Sequence, residues 1–280
     1  MAPRVRGKGT MIPKIIHYCW FGHGPKPEVF EKCLESWKKY MPDFQIIEWN
    51  EDNSDLKECK FLQDAYEQKK WAFVSDVVRL RAVYEMGGVY MDTDVELYEP
   101  LEEYLQHNAF FFFQNPSLTN SRIATGLGFG ACKGNALLWK LLEDYRTSEF
   151  RVEDMTQLAC PVKNTAVIAR EYPQFQTKSQ RQLIDNMLFI ESETYHRLAR
   201  HYGECSWMTD AQRQALRFVK KKHGFWRLKK VLRNPKIFAF LETHHMGAVS
   251  KIYCFLVQDL VDNGIVYWVV RCWQKVTGKG

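Results

Sequence analysis

Between Trp71 and Leu97 the chain reads WAFVSDVVRLRAVYEMGGVYMDTDVEL, and few folds accommodate that order of features. Phe73, Val77, Leu80 and Tyr84 recur at three- and four-residue steps. This predicts a helix over 72–86 with one stripe on a core and Asp76, Arg79 and Arg81 off it. Gly87-Gly88 ends that helix, because a glycine just past the last periodic residue adopts the left-handed conformation freely. Val89-Tyr90-Met91 then reads as a short buried strand, and Asp92 and Asp94 fall where it stops. Two carboxylates separated by the small Thr93 can turn their oxygens to one point outside the sheet. That point supplies hard oxygen ligands to a divalent cation and leaves positions for phosphate oxygens and water. A solvated strand end is the plainer alternative for the two aspartates taken alone. An EF-hand loop would need further oxygen ligands and a central glycine, which Val95-Glu96-Leu97 does not supply.

The rest of the chain alternates strand and helix patterns. Lys14 to Phe21 is an apolar run with His17 inside it, broken by Gly22-His23-Gly24-Pro25. In an open α/β sheet the ligand crevice lies beyond the carboxyl ends of the strands. Trp20, Phe21 and Gly22 therefore belong at its rim, where Trp20 offers a flat face to a nucleobase. Glu28–Tyr40 predicts a helix with Phe30, Leu34 and Trp37 on one face, Phe44–Trp49 a strand, and 56–69 another helix, a pace that indicates parallel βαβ units. Phe110 to Phe113 lie in a fully buried strand over 109–114. The glycine-rich run IATGLGFGA at 123–131 lacks the Walker or Rossmann context, so its glycines let backbone pass close to a ligand. Helices follow over 135–145 and 165–172, then a strand at Met187–Ile190, with Asp185 and Asn186 before it as candidate sugar contacts.

The phrases FVSDVVRLRAVYEMGGVYMDTDVE and IPKIIHYCWFG at 12–22 together resemble glycosyltransferase family 32, the sugar-nucleotide transferases with a DXD motif. The likeness is close over roughly residues 12–100 and weak beyond them. It implies a glycosyltransferase-A fold, a Rossmann-like nucleotide-binding α/β sheet, with a helical C-terminal extension. It further implies that Asp92 and Asp94 bind Mn²⁺ or Mg²⁺, that Trp20 and Phe21 meet the nucleotide, and that Asp76 bonds ribose or sugar hydroxyls. Arg79 would hold the sugar or diphosphate, and Tyr90 would lie near the nucleotide. Asp92, Asp94 and Arg79 are the residues implied to carry catalysis, with retention of anomeric configuration and no assigned base. The family's late His-rich motif corresponds to Glu242-Thr243-His244-His245-Met246-Gly247, with Ala248-Val249-Ser250 replacing its usual Gly-Ser-Trp ending. His244 and His245 are thereby candidate metal neighbours, and His245 and Ser250 candidate donor contacts.

The implied activity is transfer of a hexose from a nucleoside diphosphate sugar, a UDP-sugar by preference, to a glycan acceptor in surface or capsular polysaccharide assembly. The alternatives are a toxin-like protein glucosyltransferase, a GDP-mannose-dependent mannosyltransferase and, last, a non-catalytic glycan- or membrane-binding protein. Domain expectations are a flexible extension over 1–11, the nucleotide-sugar-binding domain over 12–205, and a C-terminal segment over 206–280 that completes the site.

Composition decides the setting. The chain is 46% hydrophobic and 14% aromatic, which excludes global disorder. No apolar run is long enough for a membrane span or a signal-peptide centre, and eight scattered cysteines without a CxxC pair fit reduced thiols. Both readings predict a cytoplasmic protein. Residues 211–236 contain no acidic residue and ten cations interleaved with Phe218, Phe225, Trp226 and Leu232. That pattern suits an anionic membrane surface. With the apolar patch at 264–273 it predicts peripheral contact with the inner face of the plasma membrane and a lipid-linked acceptor. No nucleic-acid-binding motif accompanies the net charge of +6.

Overall fold

A computed structural model describes residues 11–117 and 119–203; His244, His245, Ser250 and the basic and apolar segments at 211–236 and 264–273 lie outside the described residues. In chain order the elements are β1 (Ile15–Cys19), α1 (Glu28–Tyr40), β2 (Gln45–Trp49), α2 (Lys60–Glu67), α3 (Trp71–Met86), β3 (Gly88–Tyr90) and β4 (Val95–Leu97). There follow β5 (Ala109–Phe112), β6 (Phe129–Ala131), α4 (Ala136–Arg146), α5 (Met155–Leu158), α6 (Cys160–Glu171), β7 (Gln182–Ile184), β8 (Met187–Ile190), α7 (Ser192–Leu198) and β9 (Ala199–His201). The helix expected over 165–172 thus starts five residues earlier, with Pro161 in its first turn, where its missing N–H costs nothing.

Seven strands form one sheet in the order β2-β1-β3-β6-β5-β8-β7, and β4 pairs with β9 in a second, two-stranded sheet. The sheet is mixed rather than all parallel. β6 runs against both β3 and β5, and β7 against β8, while β1, β2 and β3 are mutually parallel, as are β5 and β8. The reversals need no crossover helix. β7 and β8 are joined by Asp185-Asn186 alone, both at positive φ, the two-residue hairpin turn that Asn and Asp tolerate best.

Alternation in the strands divides the core between the two faces. Phe111 and Phe113 pack with α2, α3, α4 and α6, whereas Phe110 and Phe112 pack with α1, β4 and α7. All four rings are 0–2% exposed, and burying each contributes roughly 2–3 kcal/mol. α1 carries Glu28 and Glu31 in its first turn and Lys38 and Lys39 in its last, complementing its dipole. Its buried Trp37 donates Nε1–H to the carbonyl of Val95 at 2.7 Å, and Ser36 Oγ accepts from the N–H of Leu97 at 2.9 Å. Two side chains of α1 therefore fix β4, the strand that follows the aspartates.

α3 departs from its expected one-sided burial. Besides Phe73, Val77 and Leu80, it buries Val74, Asp76, Val78, Arg79, Ala82 and Val83, so Asp76 and Arg79 lie inside the core rather than off it. Only Arg81 of that trio reaches outward, to Glu58. The Gly87-Gly88 hinge falls where expected, with φ of +71° and +114°, although a ψ of 179° makes Gly87 extended and not left-handed helical. A Cβ would stand 2.7 Å from Pro13 at Gly87 and 2.7 Å from the Ile15 carbonyl at Gly88, so the chain turns where no other residue fits.

His17 is fully buried beside this hinge. Trp49 Nε1–H lies 3.0 Å from its Nδ1, which must accept, so its Nε2 carries the proton and donates to the Gly87 carbonyl at 2.8 Å. Burial holds its pKa below the ordinary 6.5, despite the opposing effect of the Gly87 bond. The unfolded chain therefore binds the extra proton first. Stability should fall as pH drops below 6.5, by up to about 1.4 kcal/mol per pH unit until the folded-state pKa is passed. Urea midpoints at pH 7, 6 and 5 should show this slope in the parent and a shallower one in His17→Gln; equal slopes would remove His17 as the cause.

Candidate active site

β3 delivers Asp92 to the carboxyl edge of the sheet, and the chain turns at once, Val95 N–H returning to the Asp92 carbonyl at 3.0 Å. Asp92 and Asp94 flank that turn. The pairing of β4 with β9 sets Val95 opposite His201, which brings the imidazole to the same point. His201 Nε2 lies 3.1 Å from Asp94 Oδ1 and 4.0 Å from Asp92 Oδ2. One ligand atom from each of the three residues lies within 4.8 Å of the others.

Behind Asp92 stands a buried charge network. Tyr90 donates its hydroxyl to Asp92 Oδ1 at 2.7 Å, and Arg79 Nη2 lies 3.0 Å from Asp76 and 3.4 Å from Asp92. The guanidinium stacks on the Tyr90 ring at 4.8 Å, and its Nε donates to the Ser75 carbonyl. Burial lifts the Asp76 carboxyl to about 6 against the pull of Arg79, with Asp92 adding to the rise. Asp92 is also held above the usual carboxylate range, first by burial and then by Asp94, although Arg79 opposes both. Asp76, Asp92 and Asp94 set three carboxylates against one guanidinium, leaving an excess of two negative charges when all are ionised. Two carboxylates, which carry that excess, and an imidazole fit Mn²⁺ or Mg²⁺: the oxygens suit either ion, and the nitrogen favours Mn²⁺.

The glycine-rich run meets this centre directly. Residues 125–127 form a single 3₁₀ turn, and a Cβ on Gly126 would lie 2.5 Å from Asp92 Oδ2 and 3.2 Å from Arg79 Nη1. α6 holds the turn in place: Asn164 Nδ2 donates to Thr125 Oγ1 at 3.0 Å, and Thr165 Oγ1 accepts the Ile123 N–H at 2.8 Å.

The structure thus gathers Asp76, Arg79, Tyr90, Asp92 and Asp94, and adds His201, Gly126 and Asn164. It corrects three expectations. Phe21 is 5% exposed and belongs to the buried cluster that also holds Cys19, Phe73 and Tyr90, so its ring presents no open face to a nucleotide. Tyr90 is 1% exposed, and its ring supports Arg79 while its hydroxyl holds Asp92; it positions the site rather than lining it. Asp185 and Asn186 lie at the wrong edge. Met187 pairs with Ala109, Ala109 with Ala131 and Ala131 with Gly88, which puts their turn level with the start of β3, not its end. Trp20 remains at the open edge, half-buried, with Nε1–H bonded to the Gly24 carbonyl at 2.8 Å. His201 could not be read from the sequence, since no spacing links it to Asp92; only the β4 and β9 pairing does.

If His201 is a ligand, His201→Ala should weaken Mn²⁺ binding roughly tenfold or more, on the scale of losses from disturbing metal-site histidines. Burial opposes protonation of His201, but Asp94 and then Asp92 outweigh it and raise its pKa above the ordinary 6.5. Protons therefore compete with metal below that raised value, and parent affinity should climb with pH through the neutral range. Isothermal titration with Mn²⁺ at several pH values checks both. An unchanged affinity in the variant would exclude His201.

The paired aspartates on a turn leaving the α/β sheet, backed by a buried guanidinium, coincide with the DXD segment singled out in the sequence. Residues 27–111 match the family described as glycosyltransferase sugar-binding region containing DXD motif. The chain is 25% identical over 144 residues to inositol phosphoceramide mannosyltransferase 3 of Schizosaccharomyces pombe, covering 49% of this chain and 38% of that protein. It is 29% identical over 115 residues to inositol phosphoceramide mannosyltransferase 1 of the same yeast, covering 37% and 34%. It thus spans little more than a third of the length of these relatives. Among solved structures it is similar to the PaToxG glycosyltransferase, with a TM-score of 0.46, 18% identity, and 58% of this chain and 70% of that chain covered. Residues 27–111 therefore carry the DXD-containing sugar-binding region of a glycosyltransferase, set in a mixed α/β sheet flanked by helices.

Proposed function

We propose that the chain transfers a hexose from a nucleoside diphosphate sugar to a hydroxyl of a glycan acceptor, with a divalent cation held by Asp92, Asp94 and His201. The observation that carries this reading is the convergence of those three residues in front of the buried Asp76, Arg79 and Tyr90 network. When bound, the cation would supply Lewis-acid neutralisation of the leaving diphosphate. Arg79, fixed by two carboxylates, a carbonyl and an aromatic face, supplies a second, preorganised positive charge without having to move. Tyr90 keeps the Asp92 carboxylate in one orientation. Gly126, having no Cβ, lets the 3₁₀ turn close directly against Asp92 and Arg79.

The test is hydrolysis of a panel of UDP- and GDP-sugars without acceptor, with Mn²⁺ and with EDTA. Metal-dependent release of one nucleotide supports the reading, and release of none, together with absence of donor binding, sinks it. A lipid-linked acceptor in surface polysaccharide assembly is supported by the basic, aromatic sequence at 211–236 alone. Vesicle flotation with and without that segment tests it, and flotation in neither case rejects it.

A further inference from the structure

Trp20 and Asp92 leave the same edge of the sheet from adjacent strands, and β2 lies beyond β1. Past the ends of β1 and β2 opens a cleft of about 490 Å³ lined by Trp20 and by the loop that follows β2. Neighbouring strands are about 4.8 Å apart, so this cleft sits roughly two strand spacings from Asp92, a separation a nucleoside spans. Its polar lining is unbalanced. Lys26 is committed to Glu48 and Tyr18, and Asn50 spends its Nδ2 on Glu48 and its Oδ1 on the Asp52 N–H. The side-chain groups left over are the carboxylates of Glu31, Glu51 and the exposed Asp52, and the exposed imidazole of His23, whose Nε2 lies 3.7 Å from Glu51 Oε1, so acceptors outnumber donors. Glu51 is also preset: its side chain is 11% exposed, and its Oε1 accepts the Gly22 N–H at 2.6 Å and faces the Tyr66 hydroxyl at 3.5 Å, which leaves Oε2 as the more open oxygen.

We infer that this cleft selects guanine over uracil, with Glu51 as the specificity-determining residue; the inference rests on the nucleotide-sugar reading above. Guanine presents N1–H and N2–H₂ side by side, two donors matched to the two oxygens of one carboxylate, each of which can accept more than one hydrogen bond. Uracil presents a single N3–H between two carbonyl oxygens, which would face the Glu51 carboxylate with no donor to meet them. A site built from acceptors rejects a base that lacks the donors, because its buried polar groups are then left unpaired. The preference runs against the uridine donor that the sequence favours.

The test measures binding of GDP, UDP and IDP, which lacks the N2 amine, by titration calorimetry in buffer with Mn²⁺, for the parent and Glu51→Gln. Gln can still accept the Gly22 N–H, so the loop keeps its anchor. Parent affinity should fall at least tenfold from GDP to UDP and severalfold from GDP to IDP. Glu51→Gln should lose about tenfold for GDP with little change for UDP. UDP binding as tightly as GDP, or equal losses for both nucleotides in the variant, would overturn the inference while leaving a nucleotide-sugar enzyme. Failure of every nucleoside diphosphate to bind the parent would overturn the inference and the underlying reading together.

Discussion

Asp92→Asn is expected to lower metal-dependent donor turnover by roughly 10²–10³-fold while leaving the protein folded. Asp92 is the one carboxylate that joins the front of the site to its support: it faces Asp94 and His201 on one side and accepts from Tyr90, beside Arg79, on the other. An amide would keep the Tyr90 bond at Oδ1 but remove the charge a cation needs. Arg79 would still hold Asp76 at 3.0 Å, so its charge is not stranded. The cost to stability should be about 1–2 kcal/mol, as for a weakened buried bond, and below the 3–5 kcal/mol seen when a buried charge loses its partner outright. Initial rates and thermal midpoints of both proteins check this. Turnover within threefold of the parent would take Asp92 out of the chemistry.

Gly126→Ala should be nearly as damaging although it adds a single methyl group. The added Cβ would stand 2.5 Å from Asp92 Oδ2, closer than van der Waals radii allow, so the carboxylate must swing away from Asp94 and His201 or the turn must move off α6. Either shift approaches the 1 Å displacement that can cost a hundredfold in rate. A loss of roughly 10²-fold in turnover is expected, with a fall in Mn²⁺ affinity and a thermal midpoint lowered by only a few degrees. Gly134→Ala is the control. It also adds a Cβ at a turn, at a φ of +71° but with nothing within 4 Å, so it should cost about 1 kcal/mol of stability and leave turnover unchanged. Equal activity in the two variants would show that the contact with Asp92 is not what matters.

The helix, hinge and strand that present the aspartates were legible because each is written locally: a 3.6-residue repeat, two glycines and a short apolar run. The α/β class followed from the alternation of such segments. Sheet topology was not legible, since the order of strands depends on which edges meet in space. Thus β6 and β7 reversed direction with no sequence mark beyond Asp185-Asn186. Burial of Asp76 and Arg79 was missed for a related reason. Charged residues read as surface until each is seen to satisfy the other, as here across one helical turn with Tyr90 as a lid. His201 reached the site through strand pairing more than a hundred residues downstream of Asp92, and Asn164 through packing of α6 on the 3₁₀ turn; neither distance leaves a periodic trace. Phe21 was misplaced because adjacent residues at a strand end point to opposite sides, so Trp20 at the rim puts Phe21 in the core.

The most direct measurement of the central claim is the electron paramagnetic resonance titration of Mn²⁺, with nucleoside diphosphate present, into the parent and into Asp94→Asn. The account expects one bound ion per chain in the parent, loss of that binding in the variant, and unchanged far-ultraviolet circular dichroism in both. Mn²⁺ that stays free in the presence of parent protein, or binds Asp94→Asn as well as the parent, would contradict a metal centre at the end of β3.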